Sequence, residues 1–365
     1  AVCVFPASRR ARVISFLETR KLAYEIAQPA ATDNVPVLLK NRPWTRLFEP
    51  ITRIFSMPAY RELDPTPLFA PFFVLFFGFC MGDVGYGLLL LALSAALFFK
   101  KPLRQIGILG VILAFATLAS GVLTNSFFGA NLFVRDGDGL LNMTHDPAVF
   151  AAYTVQGKTI FPAMTLSLLV GCVQIFVAFV VQSVNETIVL GGRYAIKALS
   201  MLIIAVAAFI LAAHADFMQL GFNARFIIGP LKVGQWLTTI PRAAAYAGLI
   251  AGGVFFFFFS APDRKFWLRP LGGLWDFYGF STGLLGDFLS YIRLFALALA
   301  GGLLGNAFNQ IAFMVLPKTP TGHDFATPWI IISIVILIVG HTLNFGLGVL
   351  GAFVHPLRLT FVEFY

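Results

Sequence analysis

Residues 286–316 read GDFLSYIRLFALALAGGLLGNAFNQIAFMVL. Apart from Asp287 and Arg293 the stretch holds no charged residue, contains no proline and does not alternate. A helix needs about 20 apolar residues to cross a hydrocarbon core about 30 Å thick, so this run is long enough with residues to spare. Barrel strands would instead read as short alternating segments of about 10 residues. Working outward from 281–316, further apolar runs occupy 68–81, 84–99, 105–128, 160–182, 198–215, 243–261 and 328–355. The expected fold is an all-α membrane protein of about eight transmembrane helices, with a short water-exposed segment at its N-terminal end.

Composition agrees. Of 365 residues, 58% are hydrophobic and only 12% charged, against about 25% charged in soluble domains. Mean hydropathy is +0.84. The net charge of +9 is spread over loops between the apolar runs, not gathered on one face, so anionic lipid headgroups fit it better than nucleic acid, and no nucleic-acid partner is expected. Cys3, Cys80 and Cys172 form neither a disulfide framework nor a metal spacing. The five histidines show no HExxH pattern, so neither metal nor cofactor is expected. Gly157, Lys158 and Thr159 approach a phosphate-loop ending, but position 152 is Ala where that pattern needs Gly.

Two domains are expected. Residues 1–66 interleave Arg9, Arg10, Arg12, Glu18, Arg20, Lys21 and Glu25 with apolar residues and read as the remnant of a cytoplasmic N-terminal part with its linker. Residues 67–365 read as the transmembrane domain. The runs 68–81 and 84–99 could form one long helix or a pair broken at Gly82-Asp83-Val84-Gly85. With a cytoplasmic N-terminus, the pair places Lys100, Lys101 and Arg104, Arg193 and Lys197, and Arg264, Lys265 and Arg269 all on the cytoplasmic side, as basic loops prefer. Arg225, Lys232 and Arg242 then lie outside, against that preference. The loop at 129–159, with Asp136, Asp138 and Asp146, would face out.

Because most charge sits in loops, the exceptions are informative. Asp83, Asp287 and Arg293 fall within apolar runs and Arg358 near the end of the last. An arginine at mid-span costs about 2.5–3.5 kcal/mol on insertion scales, so it usually faces protein or a watery cavity and serves transport. The bland alternative is a side chain that snorkels to the interface. On the last run Asn344, Gly351 and Arg358 recur every seven residues on one stripe, with His355 beside it. Gly346, Gly348, Gly351 and Ala352 would let a neighbouring helix approach closely. Pro356 removes one backbone hydrogen bond two residues before Arg358, which predicts a bend or local unwinding around Ala352 to Pro356.

Three blocks in order carry a family resemblance: DPTPLFAPFFVLFFGFCMGDVGYGLLL at 64–90, GDFLSYIRLFALALA at 286–300 and GHTLNFGLGVLGAFVHPLRLTFVEFY at 340–365. The chain resembles the C-terminal membrane half of subunit a, or subunit I, of the V-type and archaeal-type rotary ATPases. That resemblance implies a non-catalytic, ion-translocating stator subunit whose last two helices are long and tilted. It implies as partners a ring of small membrane subunits bearing an ion-binding carboxylate, a peripheral stalk and a soluble ATPase head. It implies that Arg293 and Arg358 face the ring, and that two half-channels lead to them. The expected location is a bacterial cytoplasmic membrane with both ends cytoplasmic. Eukaryotic members carry a histidine eight residues after the first arginine and a glutamate ten before the second; here these are Gly301 and Gly348. Half-channel lining must then come from among Asp83, Asp287, Ser290, Asn306, Asn309, Gln310, His341, Asn344, His355 and Glu363. The rival reading, a secondary transporter or channel with an intramembrane charged site, would predict an internal repeat. None is visible, since the charged spans bunch at the C-terminal end.

Overall fold

The computed structural model describes residues 5, 9–27, 37, 39, 41–55, 57–58, 62–134, 141–142, 153–155, 158–160, 162–189, 192–214, 227–228, 231–232, 239–259, 269–319, 322–323 and 328–364. Asp136, Asp138 and Asp146 lie outside them, as does the side chain of Glu363. Three small helices come first: α1 (Arg10–Thr19), α2 (Pro43–Arg46) and α3 (Glu49–Phe55). Among the described residues eight apolar helices follow: α4 (Thr66–Met81), α5 (Val84–Phe98), α6 (Arg104–Thr124), α7 (Pro162–Val189), α8 (Gly192–His214), α9 (Arg242–Phe259), α10 (Arg269–Met314) and α11 (Trp329–Phe364). Each apolar run of the sequence is therefore a helix. By length and composition five of them can cross a membrane; the apolar parts of α4, α5 and α8 are shorter. The described strands are two- and three-residue ladders in connections.

Between α4 and α5 the chain breaks and reverses. Gly82 ends α4 in the left-handed region at φ 46°, the usual helix stop. Asp83 then caps α5 through a hydrogen bond from the Tyr86 backbone N–H. Along α6, Gly107, Gly110 and Gly121 meet Phe98, Ser94 and Val84 in turn, so α5 and α6 are antiparallel. Gly78 of α4 meets Ala116, and the Thr124 hydroxyl donates to the Gly82 carbonyl, so α4 runs parallel to α6. The single-helix reading of 68–99 is excluded on geometry, because α4 and α5 run in opposite directions.

The core is aromatic. Phe69, Phe73, Phe76, Phe77, Tyr291 and Leu294 join α4 to α10, and Phe353 of α11 meets Phe73 edge-on. Phe48 and Ile51 belong to the same core, and the Thr52 and Thr66 hydroxyls hydrogen-bond at 2.9 Å, so residues 43–55 dock on α4. Lys197 near the start of α8 pairs with Asp276 near the start of α10 at 3.2 Å, which fixes those two helix beginnings at one level. The helix α11 runs unbroken through Pro356. The expected local unwinding is absent: the lost hydrogen bond is confined to one carbonyl, and the Thr360 hydroxyl donates to the Pro356 carbonyl one turn on.

Candidate functional site

Helices α10 and α11 pack antiparallel: Gly340 meets the Phe308 ring, and the Asn344 amide donates to the Gly301 carbonyl at 2.8 Å. On α10, Tyr291 and Leu294 turn into the core while Arg293 between them is exposed. Arg358 is likewise exposed, beside buried Leu359. Both guanidinium groups lie within electrostatic range of His355, and that of Arg358 acts on Asp287. These four groups form one cluster on the open side of the helix pair. Among the described residues no carboxylate comes within 4.0 Å of either arginine; the ion pairs are Arg53–Glu49 and Lys197–Asp276. Both arginines are thus exposed cations that form no ion pair among the described residues, with Asp287 at longer electrostatic reach of Arg358.

That face is shaped for a close neighbour. Gly279, Gly283, Gly286 and Ser290 follow one another at helical spacing toward Arg293, and a Cβ at any of the three glycines would touch nothing within 4 Å. The Ser290 hydroxyl folds back onto the Gly286 carbonyl. Leu285 and Leu289 beside the furrow expose apolar surface, as do Leu299 and Leu303 of α10 and Leu347, Leu350 and Val354 of α11 farther along the pair.

The other polar candidates gather at the opposite end of the pair, in a hydrogen-bonded chain that includes Tyr86, a residue the sequence reading did not name. The Asn344 amide donates to the Tyr86 hydroxyl at 2.7 Å, which pairs with Nδ1 of His341 at 2.8 Å. Nε2 of His341 pairs with Oδ1 of Asn309 at 3.0 Å, and the Asn309 amide donates to the Phe128 carbonyl at 2.8 Å. All donors point one way when His341 carries its proton on Nε2, so every member is satisfied. The chain fastens α5, α10, α11 and the loop after α6 together. Asn306 and Gln310 are exposed neighbours on α10, linked by a long 3.4 Å contact.

Asp83 is 2% exposed. Oδ1 accepts from the N–H groups of Tyr86 and Phe128, and Oδ2 from the Ser126 hydroxyl at 2.6 Å and the Gly129 N–H at 3.0 Å. The carboxylate is used wholly as an acceptor. It clamps a tight hairpin, Ser126–Phe127 paired with Ala130–Asn131, whose central residues Phe128 and Gly129 both have positive φ, as a type I′ turn requires. A phenylalanine rarely adopts that conformation; here its N–H is held by Asp83. The stripe Asn344–Gly351–Arg358 is also not uniform. Asn344 is 4% exposed and faces Tyr86, whereas Arg358 is open, since seven residues fall about 20° short of two full turns.

Fold and site together define a multi-pass helical membrane protein with a pair of exposed arginines that form no ion pair among the described residues. No family model matches the chain. It is 31% identical over 362 residues to the A-type ATP synthase subunit I of Pyrococcus abyssi, covering 95% of this chain and 48% of that protein. It is 29% identical over 361 residues to the A-type ATP synthase subunit I of Methanocaldococcus jannaschii, covering 93% and 48%. With the V-type ATP synthase subunit I of Borreliella burgdorferi it shares 25% identity over 352 residues, covering 94% and 53%. Over nearly all of its length the chain is thus similar to subunit I of A-type and V-type ATP synthases, and it spans about half the length of the curated relatives it matches.

Proposed function

We propose that the chain is the ion-translocating stator part of a rotary ATPase or synthase, itself non-catalytic, with eight membrane crossings and both ends on the cytoplasmic side of a bacterial cytoplasmic membrane. Residues 1–66 form the link to a cytoplasmic part, and 67–365 conduct. Partners are a ring of small membrane subunits with ion-binding carboxylates, a peripheral stalk and a soluble ATPase head. The single observation that carries this reading is the arginine pair, exposed beside a glycine-lined furrow and forming no ion pair among the described residues.

The chemistry follows from those groups. A ring carboxylate travels through lipid in its neutral, ion-bound form. Opposite a guanidinium its charged form is favoured, and the ion is released. Arginine suits the task because it stays protonated and its planar fork matches a carboxylate. The furrow of Gly279, Gly283, Gly286 and Ser290 lets a ring helix approach, and Asp287 and His355 supply polar groups beside the arginines. Two half-channels offset along α10 and α11 then oblige each ion to ride the ring. Each charge crossing 100 mV exchanges about 2.3 kcal/mol with the field, so several ions can drive or be driven by ATP hydrolysis in the partner head.

The test is ion uptake by vesicles holding the assembled complex. Arg293→Ala, Arg293→Gln and Arg293→Lys are each expected to abolish ATP-driven uptake with normal recovery of the complex, the lysine failing for want of the fork. Arg358→Ala is expected to impair uptake less completely. Near wild-type uptake by a normally assembled Arg293→Ala complex would refute the assignment.

A further inference from the structure

Gln174 lies in α7 and is fully buried, yet neither its Oε1 nor its Nε2 has a hydrogen-bond partner among the described residues. Its depth in the fold is fixed by its neighbours. Gly171 of α7 meets the Tyr291 ring of α10, and Phe179 meets Phe280 at 5.8 Å, so α7 and α10 run antiparallel with 174 beside the 284–288 turn. A cavity of about 160 Å³ confirms the level, being lined by Cys172, Ile175 and Phe176 from α7 and Leu284, Leu285 and Phe288 from α10. Gln174 is absent from that apolar lining; it belongs to the buried stripe of Leu168, Gly171, Ile175 and Ala178. Asp287, in the arginine cluster, sits on the same turn of α10.

A buried carboxamide with nothing to bond costs several kcal/mol in a membrane interior. The kind of ligand that removes the cost is restricted by chemistry. The amide needs an acceptor for its N–H groups and a donor for its oxygen. A bare cation would satisfy only the oxygen and an anion only the nitrogen. A water molecule does both, and polar sites of this kind are where buried waters bind.

We infer that Gln174 is the side-chain ligand of a bound water at the level of Asp287, and that this water is one station of the half-channel leading to the Arg293–Arg358 cluster. The second clause rests on the function proposed above; the first does not. Gln174 is then a positioning residue, acting on the ion through the water it holds.

Gln174→Leu and Gln174→Met replace the amide by apolar groups of similar volume, and Gln174→Asn keeps the amide. Each is assembled into the full complex, and ion uptake, complex recovery and thermal unfolding are measured together. The Leu and Met forms are expected to assemble and unfold no earlier than wild type, because an orphan-prone polar group has been removed. Their uptake is expected to fall about tenfold, the effect of one lost hydrogen bond at a transport barrier. The Asn form should recover part of it. Wild-type uptake by the Leu and Met forms would overturn the inference, and so would loss of assembly in both, since the amide would then be bonded to a partner subunit. An Arg293→Ala control separates the failures. If that variant is inactive while Gln174→Leu pumps normally, only the water station falls; if it pumps normally, the function itself falls.

Discussion

Replacing Asp83 tests how far one carboxylate holds the α4–α5 break and the 126–131 hairpin in place. In Asp83→Asn the retained oxygen can keep the bonds from the Tyr86 and Phe128 N–H groups, and Asn is itself a good cap. The new NH2 group then faces the Ser126 hydroxyl and the Gly129 N–H. The hydroxyl can rotate to accept; the Gly129 N–H cannot, and one orphaned buried donor costs about 1–3 kcal/mol. Residues 126–129 are only part-buried, which puts the expected loss at about 1–2 kcal/mol. Asp83→Ala also removes the cap, about 0.5–2 kcal/mol, and orphans both hairpin N–H groups, for a total of about 3–5 kcal/mol. Cys80, 5% exposed and two residues before Gly82, reports the opening of this region. With Cys3 and Cys172 changed to Ser, a thiol-reactive fluorophore should label Cys80 at progressively lower temperature in the order wild type, Asn, Ala. Asn and Ala variants that label alike, or an Ala variant that labels like wild type, would refute the clamp.

Three further outcomes are expected. Tyr86→Phe removes one hydroxyl and leaves both Asn344 and His341 short of a partner; it should cost about 1–2 kcal/mol of thermal stability, whereas an unlinked exposed tyrosine would cost almost nothing. At Gly171 an added Cβ would sit 2.5 Å from the Tyr291 ring, so Gly171→Ala should destabilise by about 1–3 kcal/mol through forced separation of α7 and α10, measured by the same unfolding assay. Lys101→Cys should react with membrane-impermeant thiol reagents only from the cytoplasmic side; labelling solely from outside would refute the proposed topology.

The eight helices were legible because a hydropathic run must be long and nearly free of charge to sit in lipid. Their ends were less so. The α10 helix begins at Arg269, not near 281, because LGGLWDFYGFSTG is too polar and glycine-rich to register as apolar yet continues the same helix. The break at Gly82-Asp83 was readable as a choice, and α6 decides it by packing α4 and α5 in opposite directions. In the site, Arg293, Arg358 and Asp287 stood out because charge is costly in a span. Tyr86 and Gln174 did not, since a single uncharged polar group barely disturbs an apolar run. The partners of Asp83 were unreadable for another reason: three of its four donors lie 43 to 46 residues away, beyond any local pattern.

The hairpin tip also meets α10 backbone to backbone. A Cβ at Gly129 would collide with the Gly305 carbonyl carbon and the Asn306 nitrogen, and one at Gly305 would press on the Gly129 backbone at 3.3 Å. Contacts between side chains yield under load by rotamer changes, but two main chains in direct touch have no such slack. The hairpin therefore acts as a hard stop against the C-terminal part of α10, stiff in compression and anchored through Asp83 to the start of α5. A sideways load on α10 meets resistance here with little lost motion. Any residue with a side chain at 129 would put a soft washer in that joint.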